Sequence, residues 1–357
     1  MCLIAFDWRP SPVANDSSDG KCVRPSLLMV ANRDEYYRRP SAKASFWRPD
    51  DDKDDASEDT IDPARDDAKI DMIYAGRDLV QGGTWLACSN NGSFATITNF
   101  HCDQDKGREF PRSRGEIVSK FVAGRKVKDG KHAKTFPWSA KDFVDEYLKE
   151  RLDDFAGFSV LLFDGTTLMC CTNRGHIDPA ASGDDNAWYR ELPAGLYALS
   201  NHLLDTPWPK VVQAIRVMAR AREIAAKLDI DTVSGLLSDA VLEYLLQTFE
   251  DTTIYEQDLR SPPLKGIEIP IQCSMCVRIE GAGTRTTTVI SYDPSVGFDF
   301  VEKYHDTPFD EASTSRKIIP VDSNDTHAPT GRQMRRANDW RKSIVIPPDH
   351  NILTSSS

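Results

Sequence analysis

Long apolar runs are missing from this sequence. No stretch approaches the about 20 residues that a membrane-crossing helix needs, so no transmembrane segment is expected. Met1 to Pro10 has no basic region leading into a hydrophobic stretch, so a secreted protein is not expected. An arginine-rich amphipathic presequence is also lacking. Cysteine is sparse and scattered, with eight in 357 residues, which excludes a disulfide scaffold and implies reduced intracellular thiols. Positive charge is in deficit: 44 Lys and Arg stand against 55 Asp and Glu, a net charge of -11. Binding along a nucleic-acid backbone is therefore excluded. Gly82-Gly83 lacks the lysine and the spacing of a phosphate-binding loop. Cys273-Ser274-Met275-Cys276 lacks a second pair for a zinc site and reads as core thiols. No metal site is expected.

The acidity itself is local. Residues 50–71 hold eleven acids and three bases, which accounts for -8 of the -11. The reading is an acidic disordered insert, placed over 48–71, in a chain that is otherwise close to neutral. Neither a linker nor an internal repeat divides the sequence. A single domain over 1–305 is expected, followed by a C-terminal extension over 306–357 that is partly ordered at most. From His305 onward the sequence turns polar and Pro-rich, and Asn324 to Pro329 with the Ser-rich end read as loop and tail.

Hairpins dominate the pattern. Cys2 to Phe6 and Ser26 to Ala31 read as strands, the second running straight into the polar cluster Asn32-Arg33-Asp34-Glu35. Asn90-Asn91-Gly92 is a hairpin signal between Gly82–Cys88 and Phe94–Phe100. Further hairpins are expected at Asp164-Gly165 and Asp293-Pro294, and a short strand at Leu196–Ser200. Helical spacing covers Arg114–Ala123, Ser139–Glu150 (capped by Ser139), 209–227 and 233–248. Lys210, Arg216, Arg220 and Arg222 give the third of these a basic, solvated face. Paired strands with helices between them make an α+β, layered protein rather than a βαβ repeat.

Cys2 stands out chemically. With Met1 removed it carries a thiol and an α-amine on one residue, and the amine can take the thiol proton near neutral pH. Polar residues fall at the ends of the strands that would surround it. Asp34 can orient the amine, Arg33 can favour a thiolate, and Asn99 or Asn201 can donate to an oxyanion. His101 and His202 each follow one of these asparagines closely. Trp208, between Pro207 and Pro209, can wall an apolar pocket or simply anchor a loop.

A set of short blocks carries a family resemblance: Asn32-Arg33-Asp34-Glu35 with Tyr36, Arg39, Pro40 and Trp47; Gly76-Arg77-Asp78-Leu79; Gly82-Gly83-Thr84-Trp85-Leu86; Thr98-Asn99-Phe100; Ser113-Arg114-Gly115; Leu199-Ser200-Asn201; Leu204-Asp205; Pro207-Trp208-Pro209-Lys210; and Gly283 to Val289. In this order they resemble the NRDE family of transport and Golgi organisation proteins, and a fungal member is expected. The resemblance implies a four-layer αββα sandwich like that of the N-terminal nucleophile (Ntn) hydrolases. It implies a site of Cys2, Arg33, Asp34, Asn99 and Asn201, with Arg285 as a further candidate, although the Arg33–Asp34 spacing departs from that of the amidohydrolases. It implies haem trafficking or lipid and acyl-CoA handling linked to secretory organisation, by a carrier or chaperone that needs no cofactor. His101, His202 and Trp208 are the candidate contacts for haem or acyl-CoA. A cysteine amidohydrolase or thioesterase, and a secretory-pathway adaptor, are the alternatives. The expected location is cytoplasmic, with mitochondrial or Golgi association and a peripheral membrane or secretory-pathway partner.

Overall fold

A computed structural model describes residues 2–10, 26–49, 72–129, 132–175, 187–227, 237–255, 273–305 and 312–321. Two antiparallel seven-stranded sheets organise them. The first runs from Gly195–Leu199 (β12) through Cys2–Trp8 (β1), Leu27–Tyr36 (β2), Ala282–Asp293 (β14) and Gly297–His305 (β15) to Ala312–Ile319 (β16), with Arg278–Ile279 (β13) paired to β14. The second runs from Tyr189–Glu191 (β11) through Leu168–Thr172 (β10), Phe158–Phe163 (β9), Phe94–Asn99 (β6), Leu86–Ser89 (β5) and Ile73–Asp78 (β4) to Ser41–Trp47 (β3). Arg125–Asp129 (β7) and His132–Phe136 (β8) form a separate hairpin.

The central strands are buried along most of their length because both faces of each sheet are covered. In β1, Ile4, Phe6 and Trp8 point to the core between the sheets, while Leu3 and Ala5 point to the other side. That other side is covered by two helices, Pro209–Lys227 (α2) and Asp239–Phe249 (α3). Val211, Ala214, Val217, Met218 and Ala221 of the first and Val241, Leu242, Leu245 and Phe249 of the second face the sheet. On the second sheet, Leu161 and Phe163 face the inter-sheet core, while Phe158, Val160 and Leu162 meet Arg114–Ala123 (α1) and the helical segment 140–154. Three apolar cores thus separate helices, sheet, sheet and helices. Each fully buried large side chain contributes about 1.5–3 kcal/mol relative to leaving it in water.

The α+β class and the layered arrangement expected from the hairpins are borne out. The α1 and α2 helices occupy the ranges read from their periodicity. Ser139 accepts from the Asp142 amide as expected, but the helix it starts is irregular: an α-turn at Ala140–Asp142, a π-turn at Phe143–Leu148 and a 3-10 stretch at Lys149–Asp154. Cys170 faces the inter-sheet core and Cys171 the outer one, as two adjacent residues of a strand must.

Two readings need correction, and one element was not foreseen. The Asn32–Glu35 cluster does not end a strand, because β2 continues to Tyr36, held between β1 and β14. The unforeseen element lies in the C-terminal extension, where β16 pairs with β15 from Phe298↔Ile319 to His305↔Ala312. The first turn of α2 is not solvated either, since Lys210 is fully buried, and Arg222 reaches across to the Asp7 carboxylate. The disorder expected over 48–71 lies, for residues 50–71, outside the described residues. The flanking Trp47 and Ile73 are register partners, so the acidic segment joins the two strands of a hairpin.

Candidate functional site

Cys2 opens β1 directly across from Arg33 on β2. Opposed residues of antiparallel strands share a face, so both side chains turn toward the second sheet. There the Arg33 guanidinium lies 4.0 Å from the centre of the Trp85 ring. It also reaches Ser41 Oγ at 3.4 Å and the Glu35 carboxylate at 3.7 Å. Trp85 in turn fills the space beside Gly76, where an added Cβ would meet the indole at 2.5 Å.

The cleft above Cys2 has a volume of ≈ 280 Å³. Arg33, Arg39 and Arg114 line it, with Asp34, Glu35, Asp78 and Asn99. Arg39 is held by Asp78 at 2.7 Å. Arg114, in the first turn of α1, donates to the Gly157 carbonyl at 3.0 Å. One wall forms where two backbones touch: a Cβ on Gly83 would lie 2.7 Å from the Gly115 carbonyl carbon, so only glycine fits. Tyr36, which lines the cleft, is 58% exposed, and Leu79 and Val80, in the turn that follows the lining residue Asp78, are 56% and 53% exposed. Their turn is tightly held, because Asp78 Oδ1 accepts from the Val80 amide at 2.9 Å and Asp78 O accepts from the Gly82 amide at 2.8 Å.

Asn32 and Asp34 alternate with Arg33 along β2: the Asn32 side chain reaches toward the helices, while Asp34 borders the cleft and meets the neighbouring β14. Thr284 donates to Asp34 Oδ1 at 2.6 Å. Burial pushes the Asp34 carboxyl up, against the nearby Lys210 charge, the Thr284 hydrogen bond and Arg33. Burial likewise pushes the Cys2 thiol up; the Asp34 charge adds to this, while Arg33 and the Asp34 backbone N–H, directed at the sulfur, oppose it.

The two predicted asparagines come together in tandem. Asn99 faces the cleft, and Asn201, buried behind it, donates from Nδ2 to the Asn99 carbonyl at 3.0 Å. The Asn201 carbonyl accepts from the His101 amide at 3.0 Å, which ties the two loops to each other. Ser200 Oγ donates to the Cys2 carbonyl at 2.9 Å, so the same loop also fixes the first strand.

Arg285 sits apart from the cleft. It lies within the register shift of β14, and its guanidinium donates to the carbonyls of Tyr36, Tyr37 and Arg39 and to the Tyr304 hydroxyl. It therefore supports the turn after Tyr36. His101, His202 and Trp208 do not line the cleft. His202 stacks on Phe100 at 4.6 Å and bonds Thr206 through Nδ1 at 2.9 Å. Trp208 is 1% exposed among the residues packed between α2 and the sheet. Burial lowers His101 to about 4, with Lys210 and Arg114 acting in the same direction, so its ring is neutral at pH 7.

A family model described as Transport and Golgi organisation 2 matches residues 1–307. The chain belongs to the Transport and Golgi organisation 2 family. It is 28% identical over 313 residues to the human Transport and Golgi organization protein 2 homolog, which covers 85% of this chain and 92% of the human protein. The mouse Transport and Golgi organization 2 homolog is 28% identical over 316 residues, and the bovine protein 27% over 318, with the same coverage. The match to the Transport and Golgi organisation 2 family takes in both sheets except β16, together with the whole cleft. No helix among the described residues is long and apolar enough to cross a membrane.

Sequence reasoning passed over Trp85, Arg114, Glu35, Arg39 and Asp78 as site residues, although each lies in or beside a quoted block. The available signal was their polarity or aromaticity at turns that flank buried strands. It missed Lys210 as well, because a lysine at a helix start reads as solvated.

Proposed function

We propose that the protein is a carrier for an anionic acyl conjugate, of the acyl-CoA class, acting in lipid handling linked to secretory organisation. The observation that carries this reading is the cleft itself: three guanidinium groups and a single thiol line it, and exposed apolar side chains follow its lining residue Asp78 in the chain. Arginines in a half-enclosed cleft suit phosphate or carboxylate groups. Tyr36, Leu79 and Val80 offer the acyl chain a surface where it leaves the charged interior. Haem, with its propionates, is the competing cargo. It is the weaker fit because neither His101 nor His202 faces the cleft to ligate iron. A thiol held protonated by burial suits holding a thioester rather than cleaving it.

A second reading is favoured by one specific observation. Cys2, Arg33, Asp34 and the Asn99–Asn201 tandem gather around one cleft, as in a cysteine amidohydrolase or thioesterase of the Ntn type. The helix–sheet–sheet–helix layering supports that fold assignment. In this reading loss of Met1 arms Cys2.

The deciding experiment is titration of the purified protein, with its N-terminus identified by intact mass, using palmitoyl-CoA and haem. Calorimetry, absorbance and mass spectrometry of the Cys2 peptide supply the readouts. Saturable one-to-one binding of palmitoyl-CoA with no adduct supports the carrier. An acyl group on Cys2 that turns over establishes the enzyme. Binding of haem alone, or of neither ligand, refutes the acyl reading.

A further inference from the structure

The cleft adjoins a second, inner cavity. Its volume is ≈ 10 Å³, at the lower limit for a single water molecule. Cys2, Arg33, Trp85 and Ile97 line both spaces, so they form the partition between them. Strand register shows where the inner cavity leads. Cys2 pairs with Arg33, and the next pair on the same face is Ile4 with Ala31, both lining the inner cavity and both members of the inter-sheet core. Trp85 packs against that core from the second sheet. Its backbone is pinned, because the Trp85 carbonyl accepts from the Ile97 amide at 3.0 Å and from Thr96 Oγ1 at 3.1 Å. Its indole is clamped between two strands. The Arg33 guanidinium lies 4.0 Å from the ring centre, and the outer edge of the ring fills the slot that Gly76 leaves open on β4.

We infer that Trp85 is a specificity-determining residue: its indole closes the inner cavity and limits the acyl chain that can lie inward of the Cys2 thiol. The chain-length part of this inference rests on the reading of the cleft as an acyl-conjugate site. The closure of the inner cavity rests on the fold alone. The large apolar side chains among the cleft residues are Tyr36, Trp85 and Ile97, and the last two border the inner cavity. An acyl chain therefore meets the indole on its way from the thiol toward Ile4 and Ala31. With the indole in place the space beyond is too small for a chain, and the cargo's tail has to leave outward. Removing the indole joins the cleft to the inner cavity and opens an apolar channel beside the sulfur.

The test compares the parent with Trp85→Phe and Trp85→Ala in the full chain. Trp85→Phe keeps a ring for Arg33 while withdrawing from the slot beside Gly76. The first measurement is the rate of Cys2 modification by N-methylmaleimide and N-octylmaleimide, read on the Cys2 peptide by mass spectrometry. The second is calorimetric affinity for acetyl-CoA and octanoyl-CoA. Ratios are compared, because a general loosening of Arg33 affects both members of each pair alike. A buried methylene is worth about fourfold in affinity, so two methylenes entering the channel shift a ratio on the order of tenfold. Both ratios should move toward the octyl compound by that factor in Trp85→Ala, with Trp85→Phe between. A maleimide ratio that is the same in all three proteins, or a Cys2 that neither reagent reaches in any of them, overturns the closure. Acyl-CoA binding with an unchanged ratio overturns the chain-length role. If no protein binds either acyl-CoA while the maleimide ratio shifts, the carrier reading fails and the closure by Trp85 stands. If Trp85→Ala does not fold, Trp85→Phe decides: a shift of at least about threefold supports the inference, and none refutes it.

Discussion

Asn32 offers the most direct test of how this fold holds its site. Its side chain is 0% exposed and makes three hydrogen bonds. Nδ2 donates to the Phe249 carbonyl at 2.7 Å and to the Met275 carbonyl at 2.9 Å, and Oδ1 accepts from Thr287 Oγ1 at 2.7 Å. One side chain in the middle of β2 thus ties down the end of α3, the turn before β13 and the neighbouring β14. Thr287 also meets His305 Nε2 at 3.0 Å, which gives its hydroxyl a second partner. Asn32→Ala strands two buried carbonyls completely and leaves the hydroxyl half satisfied. At about 1–3 kcal/mol per stranded group, the cost is about 3–5 kcal/mol. For a protein of this size that corresponds to a fall in Tm on the order of 10 °C. Asn32→Asp should be worse, since a carboxylate would face two carbonyl oxygens with no proton to donate. Hydrogen exchange resolves the mechanism: amides of 249–255 and 273–277 should lose protection before those of β1. A Tm change under about 2 °C in Asn32→Ala would refute the argument, because it would mean the three bonds contribute less than one ordinary hydrogen bond.

Glu302 is 3% exposed, and burial pushes its carboxyl up to about 7 against a normal 4.5. The unfolded chain therefore gives up this proton before the folded one, and raising the pH from 4.5 to 7 weakens the fold. Glu302→Gln should stabilise the protein at pH 8 by up to about 3 kcal/mol and have no such effect at pH 4, as measured by urea melts. His305 behaves in the opposite sense: burial lowers it to about 4 from 6.5, so stability falls as the pH drops through that window. His305→Gln should flatten the acid limb of a Tm-against-pH curve; an unchanged limb would place the acid sensitivity elsewhere. Gly83→Ala forces the turn before β5 away from α1 and should cost about 1–3 kcal/mol while abolishing ligand binding in the cleft. A variant with parental calorimetric affinity would show that the wall can yield.

Much of the architecture was legible because period and punctuation agreed. Arg114–Ala123 and 209–227 are amphipathic with clear boundaries, and Phe158–Phe163 is an unbroken apolar run beside Asp164-Gly165. Other parts were hidden for physical reasons. Ser41–Trp47 is a half-exposed strand whose alternation rests on two small alanines and Phe46, and its partner lies beyond the acidic segment. The β16 strand is built from Ser, Thr, Arg and Lys, and only its pairing with β15 makes it a strand. The site divided along the same line. Cys2, Arg33, Asp34 and the two asparagines sit on strands or at their ends, where sequence position predicts location. Arg285 and Trp208 resemble site residues in composition, yet their side chains turn away, one toward three carbonyls and the other into the core. Lys210 needed the helix to be docked before its burial could be seen.

The β16 strand has a consequence for how the protein can be handled. The family match ends at residue 307, before this strand begins. A chain shortened to the family boundary would leave β15 with a row of open backbone donors and acceptors, a template for pairing with a second copy. Ile319, which packs into the inter-sheet core, would be lost as well, and the pocket against Gly297 that its carbonyl occupies would empty. Expression trimmed to the shared region would therefore be expected to yield aggregates. The stretch 312–321 belongs in any version of the protein meant to keep that edge paired.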